Sequence, residues 1–235
     1  MTNKIIQEAM ELALTAHEGQ KYGNLPYSIH LFNVVETVKE LRDGYAEDNE
    51  VAAAWLHDSL EDTTLTAEEI SKRCGEEVTR VVSLVTNKGK SRKEHMALTL
   101  PGVVKDPIAS VIKIADRVSN VRFCATKQDR KMFDMYAKER DEFFFYMSKS
   151  KYIPQVAFRT LESAYRSFPE EEPIKKREKK QDKKEVSISI PQDGPAIITQ
   201  SAINIGDMRR IVYNADGNTS TTTWPGWRWE SSVSF

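Results

Sequence analysis

The sequence predicts an all-helical bundle with a small β-rich C-terminal appendage. Three observations predict it. Apolar residues recur at helical spacing through most of residues 4–167. A charged run, Lys175 to Glu185, then interrupts with almost no apolar content. Beyond it, Val186-Ser187-Ile188-Ser189-Ile190 alternates with period two. The expected boundaries are a helical domain over 1–168, a charged linker over 169–185 and a β-rich tail over 186–235.

Ile5, Ile6, Ala9, Leu12, Ala13 and Ala16 share one face, which predicts a helix over 4–18. Gly19, Gly23 and Pro26 break it into a loop. His30 opens a second helix with Leu31, Val34, Val35, Val38 and Leu41, closed by Asp43-Gly44. The third helix carries Val51-Ala52-Ala53-Ala54-Trp55-Leu56, a run of strong helix formers with nearly no polarity. Thr66 and Glu69 form a capping box for a short helix ending near Cys74-Gly75. Glu76 to Val85 is the next helix, followed by a polar, lysine-rich loop. Ser91 to Leu100 reads as helical, with Pro101-Gly102 as its stop. Asp106-Pro107 opens a long helix through Pro at its first position. Residues 130–149 and 153–167 add two amphipathic helices. The tail ends in Trp224-Pro225-Gly226-Trp227-Arg228-Trp229; its roughly 50 residues are too few for an independent core, so it is expected to dock on the helical domain or join subunits.

Whole-chain properties exclude several classes. With 34 basic and 35 acidic residues, the net charge of -1 gives no field for nucleic acid or an anionic membrane. No apolar run reaches the roughly 20 residues of a spanning helix. The N-terminus lacks the apolar centre of a signal peptide. Cys74 and Cys124 form no metal or redox motif and read as reduced thiols of a cytoplasmic protein.

The chemistry concentrates in Trp55-Leu56-His57-Asp58-Ser59-Leu60-Glu61-Asp62-Thr63. One imidazole and three carboxylates at the end of an apolar helix are expensive unless a metal or ion pairs compensate them. His30 begins another helix, and Asp116 interrupts the apolar face of Ile108, Val111, Ile112 and Ala115. Two imidazoles and two carboxylates make a mixed N/O site for Mn²⁺, Fe²⁺ or Zn²⁺. Taken singly, each has a plainer reading: Asp58 as a helix-end polar residue, Asp116 as a partner of Arg117 or Arg122, His17 and His95 as ordinary satisfied side chains.

Together these residues resemble the HD metal-dependent phosphohydrolase superfamily, and more narrowly the hydrolase domain of RelA/SpoT-type proteins and the small alarmone hydrolases. Four pieces carry the resemblance: Ala16-His17-Glu18-Gly19-Gln20 with Pro26-Tyr27-Ser28-Ile29-His30; Ala53 to Thr63; Val85-Thr86-Asn87; and Lys113-Ile114-Ala115-Asp116-Arg117-Val118-Ser119-Asn120-Val121-Arg122. It spans roughly residues 1–165, and the Glu61-Asp62 pair narrows it most.

The resemblance implies an HD-domain bundle in which His30, His57, Asp58 and Asp116 bind a divalent metal, most often Mn²⁺. It implies that Glu61 and Asp62 orient or deprotonate the attacking water. Asn120 would bond the ribose, Lys21 would lie near the base or phosphates, and Tyr27, Ser28, Lys113 and Arg117 would line the pocket. A substrate with several phosphates also needs cations, which Lys21, Lys113, Arg117 and Arg122 are available to supply. The implied reaction removes pyrophosphate from the 3′ position of (p)ppGpp, giving GDP or GTP. Two departures touch the base rather than the metal. The family's Arg-Lys pair is reduced to Lys21-Tyr22, in a loop about one residue shorter, and bulky Phe123 follows Arg122. Alternatives are therefore another nucleotide, such as an adenine alarmone, NADPH or a dNTP, or a silent nucleotide-binding regulatory module.

Overall fold

The structure, a computed structural model, describes residues 3–169 and the strand pair Val212–Tyr213 and Thr219–Ser220. In chain order the elements are α1 (Lys4–Ala16), a two-residue hairpin β1 (Lys21–Tyr22) and β2 (Leu25–Pro26), α2 (Ser28–Leu41), α3 (Asp48–Leu56), α4 (Ser59–Asp62), α5 (Ala67–Cys74), α6 (Glu76–Val85), α7 (Arg92–Val103), α8 (Ala109–Lys127), α9 (Arg130–Met147) and α10 (Gln155–Arg166). They belong to a unit spanning Thr2–Glu172.

Helix α3 lies at the centre. Every residue from Glu50 to Leu56 is buried, as expected of a helix apolar on all sides. It packs on α1, α2 and α6, while α8 packs on α2, α9 and α10. The buried Glu50 carboxylate is held by Arg42, whose Nε and Nη2 donate to Oε1 at 3.0 and 2.9 Å. Among the described residues, no helix is long and apolar enough to cross a membrane. Cys74 and Cys124 are buried free thiols.

The expected capping box at Thr66 is present, with Thr66 Oγ1 accepting from the Glu69 backbone and Glu69 accepting from the Thr66 backbone. Three expectations need correction. The segment expected as a loop over 19–26 contains the β1–β2 hairpin, closed by Tyr27 N–H donating to the Gln20 carbonyl at 3.1 Å. Helix α7 runs through Pro101 instead of stopping there. Proline removes one N–H, but the carbonyl that would have accepted it belongs to exposed Ala97, where water can serve it, and burial of Leu100, Val103 and Val104 carries the chain onward. Regular α8 begins at Ala109; the capping is done by Asp106, whose Oδ1 accepts from the Ile108 and Ala109 backbones at 2.9 and 2.8 Å.

The charged linker over 169–185 lies outside the described residues after Pro169. Of the β-rich tail over 186–235, only an antiparallel pair is described, β3 (Val212–Tyr213) with β4 (Thr219–Ser220), in register Val212 to Ser220. The tryptophan cluster and any docking by the tail lie outside the described residues.

Candidate metal centre

Four elements deliver four polar groups to one point. His30 sits in the first turn of α2, His57 caps the C-terminus of α3, Asp58 links α3 to α4, and Asp116 faces in from α8. His30 Nε2 and His57 Nε2 are 3.2 Å apart. Asp58 Oδ2 lies 2.9 Å from His57 Nε2 and 3.3 Å from His30 Nε2. Asp116 Oδ1 lies 3.5 Å from His30 Nε2 and 3.9 Å from His57 Nε2. Both imidazoles are buried.

These donors fit a divalent ion. The Ala54 carbonyl, 2.8 Å from His57 Nδ1, can only accept, so Nδ1 carries a proton and Nε2 is the nitrogen turned into the cluster, where an ion would displace its proton. Two imidazole nitrogens and a carboxylate oxygen converge within 4.8 Å of one another. Metal–ligand bonds of about 2.0–2.2 Å would place neighbouring donors roughly 3 Å apart. The charges agree. Burial alone would depress His57, but the Asp58 carboxylate and then Asp116 outweigh it and raise its pKa to about 9. Burial opposes the charge on Asp58 too, yet the two imidazoles hold its carboxyl well below the usual range. The site draws in positive charge.

Asp116 pairs with neither neighbouring arginine. Arg117 Nη1 donates to Glu139 Oε2 at 2.9 Å, and Arg122 binds Glu40 at 2.9 and 3.0 Å. Asp116 instead accepts from Asn120 Nδ2 at 2.6 Å, one helical turn along α8.

The acidic pair has partners of its own and shares the Tyr27 hydroxyl with Asp58. Glu61 accepts from the Asn87 backbone at 3.1 Å and from its side-chain amide at 3.2 Å. Asp62 Oδ2 lies 3.4 Å from the Tyr27 hydroxyl, and its carbonyl accepts from Gln20 Nε2 at 2.7 Å. Burial, reinforced by Asp58 and Glu61, raises the Asp62 pKa.

A pocket opens beside the ligands. Tyr27, Lys113, Arg117 and Asn120 line it with His30, Asp58 and Asp116. Lys113 also donates to the Val85 carbonyl at 3.0 Å. Lys21, exposed on the hairpin, and Ser28 are not on this wall, and Arg122 is engaged with Glu40. His17 is buried and satisfied, with Nδ1 2.8 Å from Gln20 Oε1.

The sequence reading missed Asn87, Arg92, Tyr136, Glu139 and Phe143 as pocket residues, and it took His95, also on the wall, as an ordinary side chain. Glu139 ties Arg117 to Arg92, whose Nη2 donates to Oε2 at 2.9 Å. Tyr136 lies beneath both guanidiniums, 4.8 Å from Arg117 and 5.2 Å from Arg92. Tyr136 and Glu139 stand three apart on α9, a shared face that helical spacing could have flagged. Arg92 lies 47 positions from Glu139, and nothing local announces that pairing.

A family model described as HD domain matches residues 9–142. The guanosine-3′,5′-bis(diphosphate) 3′-pyrophosphohydrolase of Aquifex aeolicus is 39% identical over 124 residues, covering 50% of this chain and 17% of that protein. A probable GTP pyrophosphokinase of Mycobacterium leprae is 33% identical over 125 residues, covering 50% of this chain and 16% of that one. The chain thus spans about a sixth of the length of these relatives. A solved structure described as a metazoan ortholog of SpoT that hydrolyzes ppGpp superposes with a TM-score of 0.56 at 23% identity, covering 71% of this chain and 96% of that one. It shares the fold.

Proposed function

The chain belongs to the HD-domain family, and from that premise we propose that it is a metal-dependent hydrolase removing the 3′-pyrophosphate of (p)ppGpp. The observation that carries this reading is the convergence of His30, His57, Asp58 and Asp116, with Asp62 linked to Asp58 through the Tyr27 hydroxyl, beside a pocket whose wall includes Lys113 and Arg117. The Aquifex relative bears the name of that activity. His30, His57, Asp58 and Asp116 would hold the ion, which we take to be Mn²⁺. When bound, it supplies a water of near-neutral pKa and neutralises charge on the phosphoryl oxygens.

The chain's own residues do the rest. Asp62 takes the proton of the attacking water, a role its raised pKa suits. Glu61, fixed by Asn87, orients that water. The water oxygen bonds to phosphorus, the bond to the ribose 3′ oxygen breaks, and that oxygen takes a proton from solvent to give GDP or GTP, while pyrophosphate departs and Asp62 returns its proton to solvent. Lys113 and Arg117 meet the phosphates, Asn120 meets the ribose, and Lys21, Tyr27 and Ser28 belong to the nucleotide end. The same reading assigns hydrolysis to residues 1–168, places the work in the cytoplasm on a small nucleotide without nucleic acid or membrane, and leaves 186–235 for contact between subunits.

A second reading keeps the metal and changes the base. It rests on Tyr22 packing against Phe123, ring centroids 3.9 Å apart, where the resembled family reads guanine with basic side chains. The test is incubation of the purified chain with Mn²⁺ and, in parallel, ppGpp, ppApp, NADPH and a dNTP. Pyrophosphate from ppGpp is the expected result. No release at micromolar enzyme overturns the leading reading, and preference for ppApp selects the second.

A further inference from the structure

Two features that set this sequence apart from the family it resembles, Tyr22 and Phe123, form a single contact. The Tyr22 ring packs on Phe123 and lies 4.8 Å from His30. Gly23 lets the hairpin come this close. Its φ is +61°, and a Cβ there would stand 3.1 Å from Phe123 Cζ. Tyr27 meets Tyr22 edge-on at 6.1 Å. The ring is thus walled by aromatic groups, one of them a proposed metal ligand.

The hydroxyl has a direction as well as a place. Tyr22 Oη donates to Asn120 Oδ1 at 2.8 Å, and Asn120 Nδ2 donates to Asp116 Oδ1 at 2.6 Å. Burial pushes the Tyr22 phenol far above its ordinary range, so it stays protonated as the donor. With its oxygen taken by Tyr22, the Asn120 amide must turn its NH₂ toward Asp116. The carboxylate oxygen receiving that bond is the one facing His30.

We infer that Tyr22 is a positioning residue for the metal centre: through Asn120 it sets the orientation of the Asp116 carboxylate, and its ring walls the His30 imidazole. Groups that orient a ligand from outside the coordination shell govern metal affinity, and a hydrogen-bonded chain couples its members. The inference rests on the metal-centre reading above, but not on the substrate.

The test is calorimetric Mn²⁺ titration of the full chain and of Y22F, N120A and Y22F/N120A, each checked by its apoprotein unfolding midpoint. Y22F keeps the ring and its packing and loses only the hydroxyl. The expected result is Mn²⁺ affinity weakened about three- to tenfold in Y22F with the midpoint unchanged, below the roughly 10- to 100-fold loss typical of a direct partner of a ligand. In the N120A background, Y22F should cost nothing further, because the chain is already cut. Unchanged Mn²⁺ affinity in Y22F, or an equal loss in both backgrounds, overturns the inference. Failure of the unsubstituted chain to bind Mn²⁺ overturns the metal-centre reading instead. Should Y22F unfold, N120A alone decides: Mn²⁺ affinity equal to the parent chain overturns the inference.

Discussion

The Tyr27 hydroxyl donates to Asp58 Oδ2 at 2.7 Å, and that same oxygen is the one 2.9 Å from His57 Nε2. Tyr27 therefore orients the carboxylate at the centre of the cluster. Its own ring is held by stacking on His17, centroids 4.7 Å apart and planes 14° apart. His17 leans on Gln20, which in turn binds the Asp62 carbonyl. A buried neutral histidine thus serves both the cluster and the acidic pair, without facing either.

Replacing Tyr27 by Phe keeps the stack and removes the hydroxyl that donates to Asp58 and lies 3.4 Å from Asp62 Oδ2. Mn²⁺ affinity should fall about 10- to 100-fold, the usual cost of losing such a partner, with little change in thermal unfolding of the apoprotein. Calorimetric titration of Y27F against the parent chain checks it, and an unchanged affinity refutes it.

Asp62 should act as a base at a distance from the ion. D62N should keep its Mn²⁺ affinity while kcat on ppGpp falls about 10²- to 10⁴-fold, the range for loss of a positioned proton acceptor. The sign of the pH dependence follows from its environment. Burial, with Asp58 and Glu61 nearby, raises the Asp62 pKa above 3.8. A base works only when deprotonated, so kcat should drop as pH falls through that raised value. A kcat profile measured with Mn²⁺ saturating should show this acid limb, and D62N should lack it.

Much of this was legible in the sequence because burial exposes its own exceptions. Val78, Val81, Val82 and Val85 mark one face, and α6 spans Glu76–Val85 as periodicity predicts. His57, Asp58 and Asp116 stood out because charged groups beside apolar faces need partners, and Asp58 and Asp116 each reach both imidazoles at 2.9 to 3.9 Å. The Arg92–Glu139–Arg117 group did not stand out, since each charge alone is an ordinary helix-surface residue and only the fold brings α7, α8 and α9 together. The hairpin escaped because two-residue strands have no periodicity to read. Pro101 misled because a proline is tolerated where the carbonyl it orphans is wet.

A second capping box, at Ser91 and Glu94, went unread because a lysine-rich loop precedes it, yet the structure has both of its hydrogen bonds. It gives a comparison with Thr66. T66A and S91A should each cost about 1 kcal/mol, measured by urea unfolding. Ser91 starts the helix that carries Arg92 into the pocket, so S91A should also raise KM for ppGpp, whereas T66A should leave it alone. Equal KM values in both variants would mean Arg92 is placed by Glu139 and not by its helix.

Glu139 supplies the clearest pH-linked stability. Burial favours its neutral form, but hydrogen bonding from Arg92 and the nearby Arg117 charge outweigh that and lower its pKa below 4.5. A carboxylate with a folded-state pKa below the unfolded one contributes stability that is fully present above pH 4.5 and is lost as pH falls through the folded value. At pH 7, E139Q leaves two guanidiniums over one tyrosine ring with no anion between them, and should cost about 2 kcal/mol. Urea unfolding at pH 7 and at successively lower pH checks it: the gap between parent and E139Q should narrow below pH 4.5. A gap that stays constant would mean that Glu139 acts through packing alone. The loss should also reach the chemistry, because Arg117 is held at the pocket wall by this carboxylate and by the Phe143 ring 4.5 Å away. With the ring contact remaining, KM for ppGpp should rise more than kcat falls.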